Sequence, residues 1–355
     1  MSIRKGSSLM AMVLALSLSL PGLGQGRRNQ QQQKSSGGEQ AQTATIGPRT
    51  QSAQELSAFN AFQNEPNAAT KVTMGDTFLT TYPNSELTGF VQLFRMEALT
   101  RLGKFQDAIA AGETGLSFEA KFMEDMAKRT ESKDKNTKID KNSAEYKAFL
   151  DQAQKRKLSY YQLMMSDYQQ LDNADKTLEY GEKTLSEDPE NLAALLTVST
   201  VMTERPPTDD KKKDEQMNRA LERAKKAEAK VTELLNGPAG AQMRDNQKAE
   251  LLSSVHQTLG LANLHLKKYS EAEKEYASAI SAKKDDPISY YRLGVAYAQD
   301  KKLDQGMEAL AKSVYLKGVS ESEARTALKQ LYEAKNKSSD GLEEYIKTAG
   351  QKIGQ

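Results

Sequence analysis

Large apolar side chains first settle into helical spacing near Leu56. Phe59, Phe62, Val72, Phe78 and Leu79 recur in steps of three and four and predict helices running up to YPNSEL at 82–87. There Pro83 and Asn84 should stop one helix and Ser85 should cap the next. Phe94, Ala98, Leu99, Leu102, Phe105, Ala108 and Ile109 predict a helical pair turning at 101–104, with Gly103 in the turn. The charged string at 124–142 breaks the periodicity and reads as a solvated helix end followed by a loop. Ser143 is placed to cap a long helix carrying Tyr146, Phe149, Leu150, Ala153, Leu158, Tyr161, Met164, Met165 and Tyr168 on its apolar side. A second insertion, ERPPTDDKKKDE at 204–215, precedes a helix with Met217, Ala220, Leu221, Ala224, Ala227, Val231 and Leu234 on one face, stopped by NGPAG at 236–240.

One pattern repeats at a fixed distance. LGLANLHLKKYSEAEKEYASAI at 259–280 is followed by LGVAYAQDKKLDQGMEALAKSV at 293–314, and Gly260 and Gly294 are 34 residues apart. Each copy holds two amphipathic helices around a lysine-rich turn, so the unit is a helical hairpin whose neighbours share its apolar faces. Past Ser320, Ala324, Ala327, Leu328 and Leu331, and then SSDGLEEYIKTAG at 338–350, predict a closing helical pair with a polar outer face.

Composition agrees with an elongated, nearly all-helical chain. Of 355 residues, 37% are hydrophobic and 28% charged, tryptophan is absent, and mean hydropathy is -0.71. Arg4 and Lys5 precede the apolar run 9–20, which ends at Pro21 and small residues, so residues 1–24 read as a secretory signal peptide. Residues 25–52, rich in Gln, Ser and Gly, read as a disordered linker. Without cysteine there is neither a lipid-anchor site nor a disulfide. The exported chain, periplasmic or extracellular, is then expected to lack a transmembrane span. The formal net charge of +2 includes Arg4 and Lys5, so the mature chain is near neutral and a nucleic-acid partner is disfavoured.

The 34-residue hairpins resemble tetratricopeptide repeats of exported bacterial proteins. In that family a first helix with large residues at positions four, seven and eleven packs on a second helix with small residues at twenty and twenty-seven. The unit from Ser253 supplies His256, Leu259, Gly260, Asn263, Ala272, Tyr276 and Ala279; the unit from Pro287 supplies Tyr290, Leu293, Gly294, Tyr297, Gly306, Leu310 and Ser313. A third, from Leu158, supplies Tyr161, Met164, Met165, Tyr168, Thr177, Gly181 and Thr184, with Gly181 and Met165 departing from the expected sizes. The resemblance implies an all-α, right-handed α-solenoid with a C-terminal capping pair. It divides the chain into degenerate helices at 53–120, a charged insertion and helix start at 121–157, repeats at 158–319 with an insertion near 204–240, and a cap at 320–355. FLTTYPNSEL at 78–87 also resembles a segment of envelope proteins of the barrel-assembly and Tol-Pal systems, but the chain lacks the former's anchor cysteine and the latter's coiled-coil heptads.

Catalytic chemistry finds little purchase. There is no Gly-rich phosphate loop, no H-E-x-x-H and no cysteine nucleophile. His256 and His265 are too far apart along one helix to share a metal, and His256 stands where the repeat packs a bulky residue. Asp209, Asp210, Asp285 and Asp286 read as turn and cap residues. No enzyme activity, cofactor or metal is expected. In the family the concave groove is lined by positions two, five, nine, twelve and thirteen of each first helix. Carried over, these are Ser159, Gln162, Ser166, Gln169 and Gln170, then Ser254, Gln257, Leu261, Leu264 and His265, then Ile288, Tyr291, Val295, Ala298 and Gln299. The set lacks the lysines and asparagines of the carboxylate-clamp variety, so an apolar helix or extended peptide is the expected occupant. The function this implies is a non-catalytic envelope scaffold. The alternatives are self-assembly through the Met- and Tyr-rich stretch 160–168, and an envelope enzyme. Oligomeric state is not legible.

Overall fold

The computed structural model describes residues 46–134 and 138–353. The expected signal peptide and most of the expected linker lie outside the described residues. Among those described, 15 α-helices succeed one another and no strand forms. They gather into two compact units that divide between Asp188 and Pro189.

The first unit contains α1 (Ala53–Asn64), α2 (Ala68–Thr81), α3 (Thr88–Arg101), α4 (Phe105–Glu131), α5 (Ala144–Gln170) and α6 (Ala174–Glu187). Phe59, Phe62, Phe78, Leu87, Phe90 and Val91 form its aromatic end. Phe59 meets the rings of Phe78 and Phe90 edge-on at 6.2 and 6.3 Å, the geometry the ring quadrupole favours. Ser85 does not cap α3 as its position suggested. It lies two residues short of the N-cap, Leu87, and its hydroxyl accepts the Leu87 N–H at 3.0 Å instead. Most described residues of the charged stretch 124–142 are exposed, as its composition implies, with two buried exceptions. Met126 and Ile139 are fully buried with Phe122, Tyr146 and Phe149, and the Ile139 N–H donates to the Arg129 carbonyl at 3.1 Å, folding the strap back onto α4. Ser143 does cap α5, accepting the Tyr146 N–H at 3.1 Å. The helix then runs unbroken for 27 residues, so a division at 157 falls inside it.

The second unit contains α7 (Leu192–Glu204), α8 (Asp210–Asn236), the single turn α9 (Pro238–Gln242), α10 (Asp245–His265), α11 (Tyr269–Ala282), α12 (Pro287–Gln299), α13 (Leu303–Leu316), α14 (Glu321–Asn336) and α15 (Leu342–Gln351). The inserted loop is shorter than its charge suggested. Asp209 takes the Lys212 N–H at 2.9 Å, so the lysine run starts a helix. Insertion length goes instead into α8, 27 residues against the 14 of α11 and α13. The final helices α14 and α15 both rest on α13 around Leu310, Val314, Leu328 and Ile346.

Consecutive helices pair as hairpins, α3 with α4, α5 with α6, α10 with α11 and α12 with α13. Their four turns share one geometry. Gly103, Asp172, Lys267 and Lys301 all adopt positive φ, from 56 to 71°. In each turn the next N–H reaches back five residues to a helix carbonyl, as from Lys104 to Leu99, Asn173 to Tyr168, Lys268 to Asn263 and Lys302 to Tyr297, at 2.8–3.0 Å. This is a Schellman end, which satisfies carbonyls the helix would otherwise orphan.

With the turns as register marks, the hairpins align. In the second unit Gly260 faces the Tyr276 ring and Gly294 faces Leu310; a Cβ at either glycine would stand 2.7 Å from Tyr276 Cε1 or 2.6 Å from Leu310 Cγ. In the first unit the sizes are exchanged. Met96 occupies the first-helix position and Gly112 the second-helix position, where a Cβ would meet the Met96 sulfur at 2.8 Å. Met165 and Gly181, each 69 residues further on and both buried, repeat that exchange. A hairpin crossing needs one small partner, and which helix supplies it is free. The helices are therefore paired in hairpins of one register, with the small crossing residue on either helix.

Candidate partner-binding face

The positions carried over for partner contact lie on α5 in the first unit and on α10 and α12 in the second, and each unit treats them differently. On α5, Ser159, Gln162 and Ser166 are buried, since α3, α4 and α6 all pack on this helix. Ser159 turns its hydroxyl onto the Lys155 carbonyl at 3.0 Å. Gln169 and Gln170 are half-buried.

On α10, Leu261 is only 8% exposed, and Leu264 packs against the cluster of Tyr276, Leu293 and Ala296. Gln257 donates to Asp286 at 2.9 Å, while Asp286 also caps α12 by accepting the Ser289 N–H at 2.9 Å. His265 hydrogen-bonds the Thr203 carbonyl at 3.1 Å, and burial pushes its pKa below the ordinary value despite that bond. Ser254 is half-exposed. Much of the α10 set thus joins α10 to α7 and α12.

On α12 the two sides of the helix part company. Tyr290, Leu293 and Ala296 are buried, whereas Ile288, Tyr291 and Val295, spaced by three and four, form a half-exposed stripe with Ala298 and the exposed Gln299 beyond. The Tyr291 ring leans on the α13–α15 core, and burial with Glu323 nearby raises its phenol above the usual range. Next to it Arg292 reaches Glu204 at 2.5 Å. That pairing links positions 88 residues apart and left no sequence signal.

Two further groups carry chemistry. Glu228 of α8, His256 of α10 and Glu275 of α11 bring one ligand atom each to within 4.8 Å of one another. His256 Nδ1 lies 2.8 Å from Glu275 Oε2 and 3.9 Å from Glu228 Oε1. The two histidines themselves are not brought together around this group. In the first unit Asp167 is fully buried, and burial raises its pKa to about 7 against the opposing hydrogen bond from Thr100. The Thr100 hydroxyl stands 2.9 Å from Asp167 Oδ2 and 3.1 Å from the Met96 carbonyl. One hydroxyl proton serves only one of them, so the network closes when the carboxyl brings its own proton.

No protein-family model matches the chain, and no curated protein matches it. Among solved structures it is similar to the TPR2AB-domain:pHSP90-complex of yeast Sti1, at 14% identity over 85% of this chain and 96% of that chain, with a TM-score of 0.25.

Proposed function

We propose that the protein is an exported, non-catalytic scaffold of the cell envelope that binds another protein, receiving an apolar helix or extended peptide along α12. The observation that carries the reading is the stripe of Ile288, Tyr291 and Val295, left half-exposed on a helix whose other side is filled by Tyr290, Leu293 and Ala296. A second apolar stripe on an already packed helix is what a helix-in-groove contact uses. Export rests on the run at 9–20 behind Arg4 and Lys5.

Crosslinking in cells with the tagged chain, followed by mass spectrometry, tests it. A specific envelope protein recovered with the wild type and lost with Ile288→Ser plus Tyr291→Ala supports the reading. Equal recovery from that variant overturns the stripe, and recovery of the chain alone points to self-assembly. Leu261 is a poor probe, because truncating a side chain this buried tests packing rather than contact.

A further inference from the structure

We propose that Glu228, His256 and Glu275 together bind one divalent transition-metal cation, of which Zn²⁺ is the best representative. The three side chains converge from three helices, α8, α10 and α11, and their donor atoms already cluster within 4.8 Å. Ligands held about 2.1 Å from a common ion stand at most about 4.2 Å apart. Both separations from His256 Nδ1, 2.8 and 3.9 Å, fall inside that reach, and the two carboxylates, within 4.8 Å of each other, would draw together on the ion.

Charge points the same way. Neither Glu228 nor Glu275 forms an ion pair with a lysine or arginine among the described residues; the basic group beside each is the shared imidazole. Even a protonated ring would leave one negative charge uncompensated. The group is also partly withdrawn from water, with side-chain exposures of 18% for His256, 27% for Glu275 and 42% for Glu228. That strengthens attraction to a cation while leaving it a path of entry.

The repeat itself does not require these residues. The positions 34 residues beyond His256 and Glu275 are Tyr290 and Ala309, and both are buried packing residues. Only this hairpin replaces them with an imidazole and a carboxylate, and it does so where α8 supplies a second carboxylate. One imidazole and two carboxylates suit Zn²⁺ or Mn²⁺ better than Mg²⁺ or Ca²⁺, which favour all-oxygen shells. Water would complete the coordination. The ion would then clamp the long helix α8 to the α10–α11 hairpin.

The untagged full chain, stripped with EDTA, is titrated with Zn²⁺ by calorimetry and followed by thermal unfolding. The expected result is one ion per chain, a rise in Tm reversed by EDTA, no comparable rise with Mg²⁺, and a loss of about tenfold or more in affinity for His256→Gln and for Glu275→Gln. His265→Gln should bind as the wild type does. Zn²⁺ affinity unchanged in His256→Gln, or no binding at all, overturns the site. A readout independent of variant folding comes from Co²⁺ added to the wild type. The chain has 2 histidines, so the imidazole proton resonances should divide into a paramagnetically shifted His256 set and an unshifted His265 set. Two unshifted sets, or a shift at His265 alone, overturn it.

Discussion

Met96 lies against Gly112 in the first unit, the reverse of the second unit's arrangement, where Gly260 lies against Tyr276. The two crossings should answer a methyl group differently. Replacing a mid-helix glycine by alanine gains about 1 kcal/mol of helix propensity, while overpacking costs about 1–3 kcal/mol. At Gly112 the obstacles are the thioethers of Met96 and Met164, which can swing aside. At Gly260 the obstacle is a fully buried ring. Gly112→Ala should therefore be near neutral and Gly260→Ala destabilising by about 1–2 kcal/mol, read as urea midpoints. The opposite order would contradict the exchange of sizes.

Asp167 should make stability depend on pH. Its folded pKa of about 7 exceeds the ordinary aspartate value of 3.8, so above about pH 4 the unfolded chain loses this proton while the folded chain keeps it. Stability from this group is greatest in acid, falls as pH rises to about 7, and is level beyond, a loss of at most about 4 kcal/mol. Asp167→Asn should remove that slope and stabilise the chain at pH 8, with little effect at pH 4. Denaturant titrations at the two pH values check it, and an unchanged difference between them would count against the assignment.

Glu119 and Arg156 are both buried and paired twice, Nε to Oε1 at 3.0 Å and Nη2 to Oε2 at 3.2 Å, with the guanidinium 4.2 Å above the centre of the Phe90 ring. Breaking one side leaves a charge without compensation. Arg156→Met should cost about 3–5 kcal/mol, and adding Glu119→Leu should restore most of it. A double-mutant cycle with no coupling would show the pair to be energetically silent.

Lys301 holds a left-handed turn conformation at φ 62° that disfavours a side chain, at the position where the α3–α4 hairpin has Gly103. Lys301→Gly should stabilise the chain by about 0.5–1 kcal/mol, seen as a raised Tm. A lowered Tm would mean that the lysine side chain contributes more than its backbone costs.

Local rules made the helices and several ends legible. The three-and-four spacing from Tyr146 to Tyr168, the cap at Ser143 and the turn at Gly103 depend on neighbours a few residues away, so the sequence displays them directly. The same rules read the helix end and loop of 124–142 but missed Met126 and Ile139 within it, because charge density conceals two apolar residues that are buried by contacts with Phe122, Tyr146 and Phe149. Position-by-position transfer also placed Gln162, Ser166 and Leu261 on a binding face, whereas neighbouring helices cover them. The α12 stripe of Ile288, Tyr291 and Val295 stays half-exposed, as do Gln169, Gln257 and Leu264.

What the sequence by itself determined is the helical hairpin and its 34-residue recurrence, since backbone hydrogen bonding and the spacing of apolar side chains act within a few turns. Only tertiary structure decided that Glu228, His256 and Glu275 meet, that Arg292 finds Glu204, and that Asp167 is sealed beneath Thr100. Each of these depends on the register in which separate helices cross. That register is set by complementary volumes such as Met96 with Gly112, and no single helix carries both halves of such a pair.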